Sequence, residues 1–158
     1  MNNSELKNVL NEIVGLRLTD VHPVCEMMVF SFERYSLHSQ CLTRIIKNND
    51  ILVTTLDYQS WDGEITENND EWFNLDKFKP EIEGGTVLSV KLSPLNDLVI
   101  TMNNGIVIEV YIQNSHTHFD DEHEQYRFFE HSTDDETKGQ KRLQPHYVVF
   151  NKNIEKQI

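Results

Sequence analysis

Positive charge is what this chain has least of: 14 Lys and Arg stand against 26 Asp and Glu, a net charge of -12 over 158 residues. So few cations cannot line a groove that neutralises a phosphate backbone, and the excess of carboxylates repels anionic lipid. Nucleic acid and membrane are therefore excluded as partners, and a basic partner is favoured. Cysteine is nearly absent as well. Cys25 and Cys41 are too few for a disulfide framework and form no Cys-x-x-Cys pair, which predicts a reduced, cytoplasmic setting. No run of about 18 apolar residues occurs, so no membrane-spanning helix is expected. The opening Met1-Asn2-Asn3-Ser4-Glu5-Leu6-Lys7 lacks the basic and apolar regions of a signal peptide. Gly-rich phosphate loops, Gly-x-Ser-x-Gly, His-Glu-x-x-His and dinucleotide fingerprints are all missing. No enzymatic activity and no cofactor are expected.

What the chain does contain is strand pattern. Between Thr86 and Ile112, Leu88, Val90 and Leu92 alternate with polar residues, and Leu98, Ile100 and Met102 repeat the period. Asn104-Gly105 supplies a turn of type I′, and Ile106, Ile108, Val110 and Ile112 then share one face. These features predict an antiparallel meander. Earlier strands are predicted over Leu16 to Val21 (broken by Pro23), Cys25 to Glu33, Leu37 to Ile45, and Ile51 to Thr55. Asn48-Asn49-Asp50 turns the chain between the last two. Tyr126 to Phe129 and His146 to Phe150 add two more, while Thr133 to Arg142 reads as a mobile loop and Asn151 to Ile158 as a frayed tail. At the N-terminus Leu6, Val9, Leu10 and Ile13 recur at helical spacing, with Asn3 or Ser4 as cap and Gly15 as stop. The expectation is a single domain, 1–158, of mainly β (α+β) class. A short helix over 4–14 precedes an antiparallel sheet or β-sandwich over 16–150, with acidic loops at 57–83 (holding one helical turn around Asn69 to Phe78) and 114–136.

The acidity is concentrated on those loops. Asp57 to Glu83 carries nine carboxylates against Lys77 and Lys79, and His116 to Glu136 carries eight against Arg127 alone. The remaining chain has nine acids and eleven bases, so the scaffold itself is close to neutral. Clustered like charge repels itself, a cost that a surface meeting a cationic partner recovers through faster, steered encounter. Solvated loops serving only solubility are the simpler alternative. Candidate contact residues are Asp120, Asp121, Glu122, Glu124, Asp62, Glu64, Asp70 and Glu71. Trp61 and Trp72 in an acidic loop are either apolar anchors for a partner or folded onto the core, and core is the expected fate of at least one.

Two further constellations carry possible chemistry. His116, His118 and His123, with the carboxylates beside them, are ligand types for zinc or a similar ion at a spacing that matches no defined metal motif. A polar loop with solvated histidines is the plainer reading. His38, Cys41 and Arg44 invite an activated thiolate, yet strand alternation sends His38 and Cys41 to opposite faces, which makes Cys41 a small core residue.

Several short patterns fall in a familiar order. They are Gly15-Leu16-x-Leu18, Leu37-His38-Ser39-Gln40-Cys41 followed by Arg44-Ile45, and Asp97-Leu98-x-Ile100 leading to Asn104-Gly105-x-x-Ile108-Glu109-Val110. Glu124-x-Tyr126-Arg127-Phe128 and a closing His146-Tyr147-Val148-Val149 complete it. In these the chain resembles small bacterial immunity proteins of contact-dependent and other polymorphic toxin systems. The resemblance implies a non-catalytic inhibitor that binds one cognate toxin C-terminal domain, often a nuclease, and blocks its active site. It transfers no catalytic residue. A cationic phosphate-binding site is what clustered carboxylates could fill by imitation.

Overall fold

The computed structural model describes residues 1–58, 64, 72–115, 123–131, 133–135 and 140–158. Helix α1 (Asn3–Leu10) starts at Asn2, whose side chain accepts the Glu5 amide at 2.9 Å while the Glu5 carboxylate accepts the Asn2 amide at 2.9 Å. This reciprocal cap satisfies two amides that the helix cannot, one residue earlier than the sequence suggests. Leu6 and Leu10, followed by Ile13 in a 3-10 turn, are buried.

Strands β1 (Leu18–Val24), β2 (Met27–Phe32) and β3 (Tyr35–Ser39) form successive hairpins. Next come β4 (Leu42–Lys47), β5 (Asp50–Thr54) and a ten-residue helix α2 (Phe73–Ile82). The meander follows as β6 (Val87–Leu92), β7 (Leu98–Met102) and β8 (Ile106–Tyr111). The last strands are β9 (Tyr126–Glu130), a ribbon of β10 (Thr133–Asp135) and β11 (Gln140–Arg142), β12 (His146–Val149) and β13 (Ile154–Gln157). They assemble into a six-stranded sheet, β1-β2-β3-β9-β12-β13, and a five-stranded sheet, β5-β4-β8-β7-β6, all pairs antiparallel. The protein is thus mainly β with two antiparallel sheets and a short N-terminal helix. Phe30, Phe32, Leu37, Tyr126 and Phe128 of one sheet join Ile45, Leu98, Ile100, Ile108 and Val110 of the other, and α1, in one core.

Two joints hold the sheets together. The chain crosses from β3 to β4 through Gln40-Cys41. At the second joint, Leu18 and Gly84–Gly85 exchange backbone hydrogen bonds of 2.8 and 2.9 Å, and Val87 bonds Leu16 and Gly15 at 2.9 Å. Gly85 is required there, because a Cβ would lie 2.5 Å from the Asn104 side chain, whose amide caps the α2 carbonyls of Glu81 and Ile82 at 3.2 Å.

Several local expectations are corrected. β1 runs through Pro23 to Val24, since an edge strand tolerates a residue without an amide hydrogen. Leu37 to Ile45 is two strands in different sheets. Leu88 is 58% exposed while Val87 is buried, because a bulge between Val87 and Ser89 resets the alternation. The type I′ turn belongs to Asn48 and Asn49, with φ of 53° and 66°, joining Lys47 to its partner Asp50. The Asn103-Asn104-Gly105 connection is instead a three-residue loop, closed by Gly105 N to Met102 O at 3.3 Å, with only Gly105 left-handed at φ 81°. The acidic loop 57–83 contains α2, and 114–136 contains β9 and β10. Residues 133–142 include a strand ribbon rather than a mobile loop, and the tail is strand β13, paired with β12 from His146↔Gln157 to Val149↔Ile154.

Candidate interaction surface

The β3–β4 crossover is where described residues flanking the two acidic segments are tied to the scaffold. Gln40 must leave one sheet and Leu42 enter another, so the backbone between them depends on polar partners from elsewhere. The Gln40 amide donates to the Gln125 carbonyl at 2.8 Å. The Cys41 carbonyl accepts from the Thr43 and Thr55 hydroxyls at 3.1 and 3.2 Å, and the Thr55 oxygen accepts the Thr43 amide at 2.7 Å. These bonds fix the end of β5 and the start of β9 beside one point. Gln125, 4% exposed, extends the clamp: its side chain accepts the Gln113 amide at 2.8 Å and donates to the His123 carbonyl at 3.1 Å.

Consequently Tyr58 and Trp72, which flank residues 59–71, and Gln113 and His123, on either side of residues 116–122, stand at the same end. The first segment departs after Tyr58 and returns at Trp72, whose rings lie 5.5 Å apart at 47°. The Trp72 indole donates to the Cys25 carbonyl at 2.8 Å, tying the return to the β1–β2 hairpin tip. The second departs after Ser115 and returns at His123, held by Gln125. Together the two segments carry eight carboxylates and no lysine or arginine. Between their roots, Val24, Cys25, Glu26, Met27, Gln40 and Tyr58 line a cleft of about 420 Å³. Leu56, Phe73 and Val24, at 89, 48 and 46% exposure, stand around the same end.

Five cations of the described scaffold are engaged by its own carboxylates. Arg44 binds Glu109 through Nε at 2.8 Å, Lys47 binds Glu81 at 3.1 Å, and Lys79 lies 2.9 Å from Asp20 and 3.4 Å from Glu83. Arg34 pairs with Glu130 at 3.2 Å, and Arg127 forms a two-pronged pair with Glu124, one prong at 2.6 Å.

The sequence-based candidates divide accordingly. Trp72 is 1% exposed and belongs to the core, as expected for one of the two tryptophans. Glu124 is committed to Arg127 rather than presented outward. Glu64 and His123 are exposed. Trp61, Asp62, Asp70, Glu71, His116, His118, Asp120, Asp121 and Glu122 lie outside the described residues. So does most of the His116/His118/His123 set, and among the described residues no group of three or more His, Cys, Asp or Glu is placed to hold a metal. The second acidic stretch is not one loop. β9 carries the chain about 17 Å across the sheet, so Glu130 ends the strand far from Glu124, and Asp134 and Asp135 follow it in β10.

His38 and Cys41 do not pair. His38 is half-buried on the outer face of the six-stranded sheet, whereas Cys41 is in the core with its thiol pushed up to about 11 by burial, the opposite of an activated nucleophile. Sequence reasoning missed what does surround His38. Register places His38 opposite Arg127 and Ser36 opposite Phe129, which in turn faces His146. The Phe129 ring stacks on His146 at 4.1 Å and meets His38 edge-on at 5.0 Å, with His131 at 6.0 Å and bonded to the Ser36 hydroxyl at 2.6 Å. Period-two alternation puts each of these residues on the outer face, but only the β3-β9-β12 pairing makes them neighbours.

Arg127 Nη1 sits 3.2 Å from His146 Nδ1 and donates to it, so that nitrogen carries no proton. Burial first, then the Arg127 charge, hold both His38 and His146 below the usual 6.5, against an upward pull from Glu124. In the unfolded chain these histidines bind protons at higher pH than in the fold, so stability falls as pH drops below about 6.5. Urea midpoints measured from pH 7 to pH 5 are expected to decline. A His38→Gln, His146→Gln double variant should lose most of that slope, and an unchanged slope would place the titration elsewhere.

Among the described residues no helix is long and apolar enough to cross a membrane. Compared with protein-family models, with curated protein sequences and with solved structures, the chain finds no match.

Proposed function

We propose that this chain is a non-catalytic immunity protein, which binds a cognate, basic toxin domain of nuclease type and occludes its active site. One observation carries the reading: residues 59–71 and 116–122 hold eight carboxylates without a lysine or arginine, and the described residues that flank them are tied together around Gln40. Had the two segments sprung from opposite ends, their charges could not have met a common partner. The family resemblance supplies the kind of partner, and the electrostatics supply the reason it binds. A nuclease site is cationic because it holds phosphates, and carboxylates can occupy it as surrogate anions through charge-assisted hydrogen bonds. Exposed Leu56 and Phe73 beside the anionic segments furnish apolar contact that a purely electrostatic surface would lack.

The test is binding and protection with the toxin domain encoded immediately upstream. A stable complex is expected, with an association rate that falls about 10-fold or more between low salt and several hundred millimolar. Asp120→Lys, Asp121→Lys and Glu122→Lys combined should slow association by a further factor of about 10 to 100 and weaken protection of cells. Protection equal to that of the unaltered chain would remove residues 116–122 from the interface. A salt-independent association rate would overturn the electrostatic reading altogether.

A further inference from the structure

The cleft at the acidic end has walls that suit one side chain. Val24 and Met27 offer apolar surface, Tyr58 an aromatic ring, Glu26 an exposed carboxylate, and Gln40 an exposed amide. No lysine or arginine lines it. Its floor is pinned, since the Trp72 indole holds the Cys25 carbonyl and packs on Tyr58. Glu26 is the charged residue of its lining, so a cationic guest meets only opposite charge on the wall.

We infer that this cleft receives an arginine side chain of the basic partner. The inference rests on the binding role proposed above and names the contact at its centre. An arginine stem is three methylenes long and packs on apolar wall while its head stays polar. Its planar guanidinium can lie against the Tyr58 ring, ion-pair with Glu26 and donate to the Gln40 amide oxygen in one plane. Lysine matches only the charge, because its compact, strongly hydrated ammonium neither stacks nor forks. A volume of about 420 Å³ admits one such side chain with its hydrating water.

Cys25 gives the test a direct readout, for it is the exposed cysteine in the cleft wall while Cys41 is buried. Alkylation of Cys25 by uncharged iodoacetamide is followed by mass spectrometry with hexa-arginine, hexa-lysine or hexa-glutamate present at moderate salt. Hexa-arginine should slow the reaction about fivefold or more near saturation, hexa-lysine less, and hexa-glutamate not at all. Glu26→Gln, an exposed change that leaves the core intact, should weaken the protection about threefold to fivefold. An Asp120→Asn, Asp121→Asn, Glu122→Gln variant should reduce hexa-arginine and hexa-lysine binding alike. Binding that depends on those three residues yet leaves Cys25 unprotected would overturn the cleft and spare the anionic interface. Failure of hexa-arginine to bind at all would overturn both.

Discussion

Replacing Trp72 by alanine is expected to destabilise the protein by about 3–5 kcal/mol, the range for removing a fully buried large aromatic. The side chain is 1% exposed, packs against Tyr58 at 5.5 Å, and donates its ring N–H to the Cys25 carbonyl at 2.8 Å. Alanine forfeits the transfer energy, leaves a cavity, and strips a turn carbonyl of its donor. Single domains have only about 5–15 kcal/mol to lose, so the urea midpoint should fall by about a fifth or more. Trp72→Phe separates the contributions: it keeps most of the apolar volume and loses the donor, for about 1–2 kcal/mol. A Trp72→Ala midpoint close to that of the unaltered chain would mean that the indole is not a core element. Because Trp72 closes the stretch that leaves at Tyr58, its loss should also loosen the anchoring of residues 59–71. Association with the proposed toxin domain would then slow even under conditions where the variant remains folded.

Alternation was readable wherever one sheet face is apolar and the other polar. Met28, Phe30 and Phe32 were legible as one face, as were Ile106, Ile108 and Val110, and all six are buried. What period two cannot reveal is a change of sheet. Leu37, Cys41 and Ile45 keep one parity through Gln40-Cys41, so a chain that passes from one sheet into the other reads as a single strand. Nor can it reveal a bulge, which turned Leu88 outward, or an edge, which excused Pro23. Helix α2 was legible only as one turn around Asn69 to Phe78, because only Leu75 and Ile82 of its ten residues are fully buried and Pro80 near its end reads as a breaker. β13 was hidden for a related reason: after Ile154 its residues are all exposed, as befits an edge strand with little core to bury.

The candidate surface was legible in composition only, not in geometry. The count of carboxylates located the anionic segments, but nothing in the chain order says that Gln40, Thr55 and Gln125 share one locus. That follows from the crossover's carbonyl and amide: Thr43 and Thr55 bond the Cys41 carbonyl, and the Gln40 amide is bonded by Gln125. Glu124 shows the limit from the other side. By composition it was one acid among several, whereas its neighbour three residues on, Arg127, takes both its oxygens. The β9 strand likewise divides the second acidic stretch, so proximity in sequence overstated how many carboxylates share a surface.

Alkaline unfolding should set in between pH 9 and 11, and Cys41 should drive its first part. Burial pushes the thiol from 9.0 up to about 11, and in the unfolded chain it ionises near its ordinary value. Between those values the folded state retains a proton that the unfolded state has released, so stability decreases as pH rises. A two-unit gap corresponds to about 3 kcal/mol lost by pH 11. Tyr126 adds to this above pH 10. Its phenol, fully buried and donating to the Asn96 carbonyl at 2.9 Å, is raised far above the ordinary 10.0, chiefly by burial. Lys79 and Tyr111, both raised as well, act in the same direction at higher pH. Urea midpoints measured from pH 8 to pH 11 should therefore drop steeply for the unaltered chain. Cys41→Ala is expected to start lower, having lost a small buried side chain, yet to fall less between pH 9 and 10, where the thiol alone would titrate. Tyr126→Phe should keep the early decline and flatten the part above pH 10. If Cys41→Ala follows the same curve from pH 9 to 10 as the unaltered chain, the thiol is not the group that the fold keeps protonated.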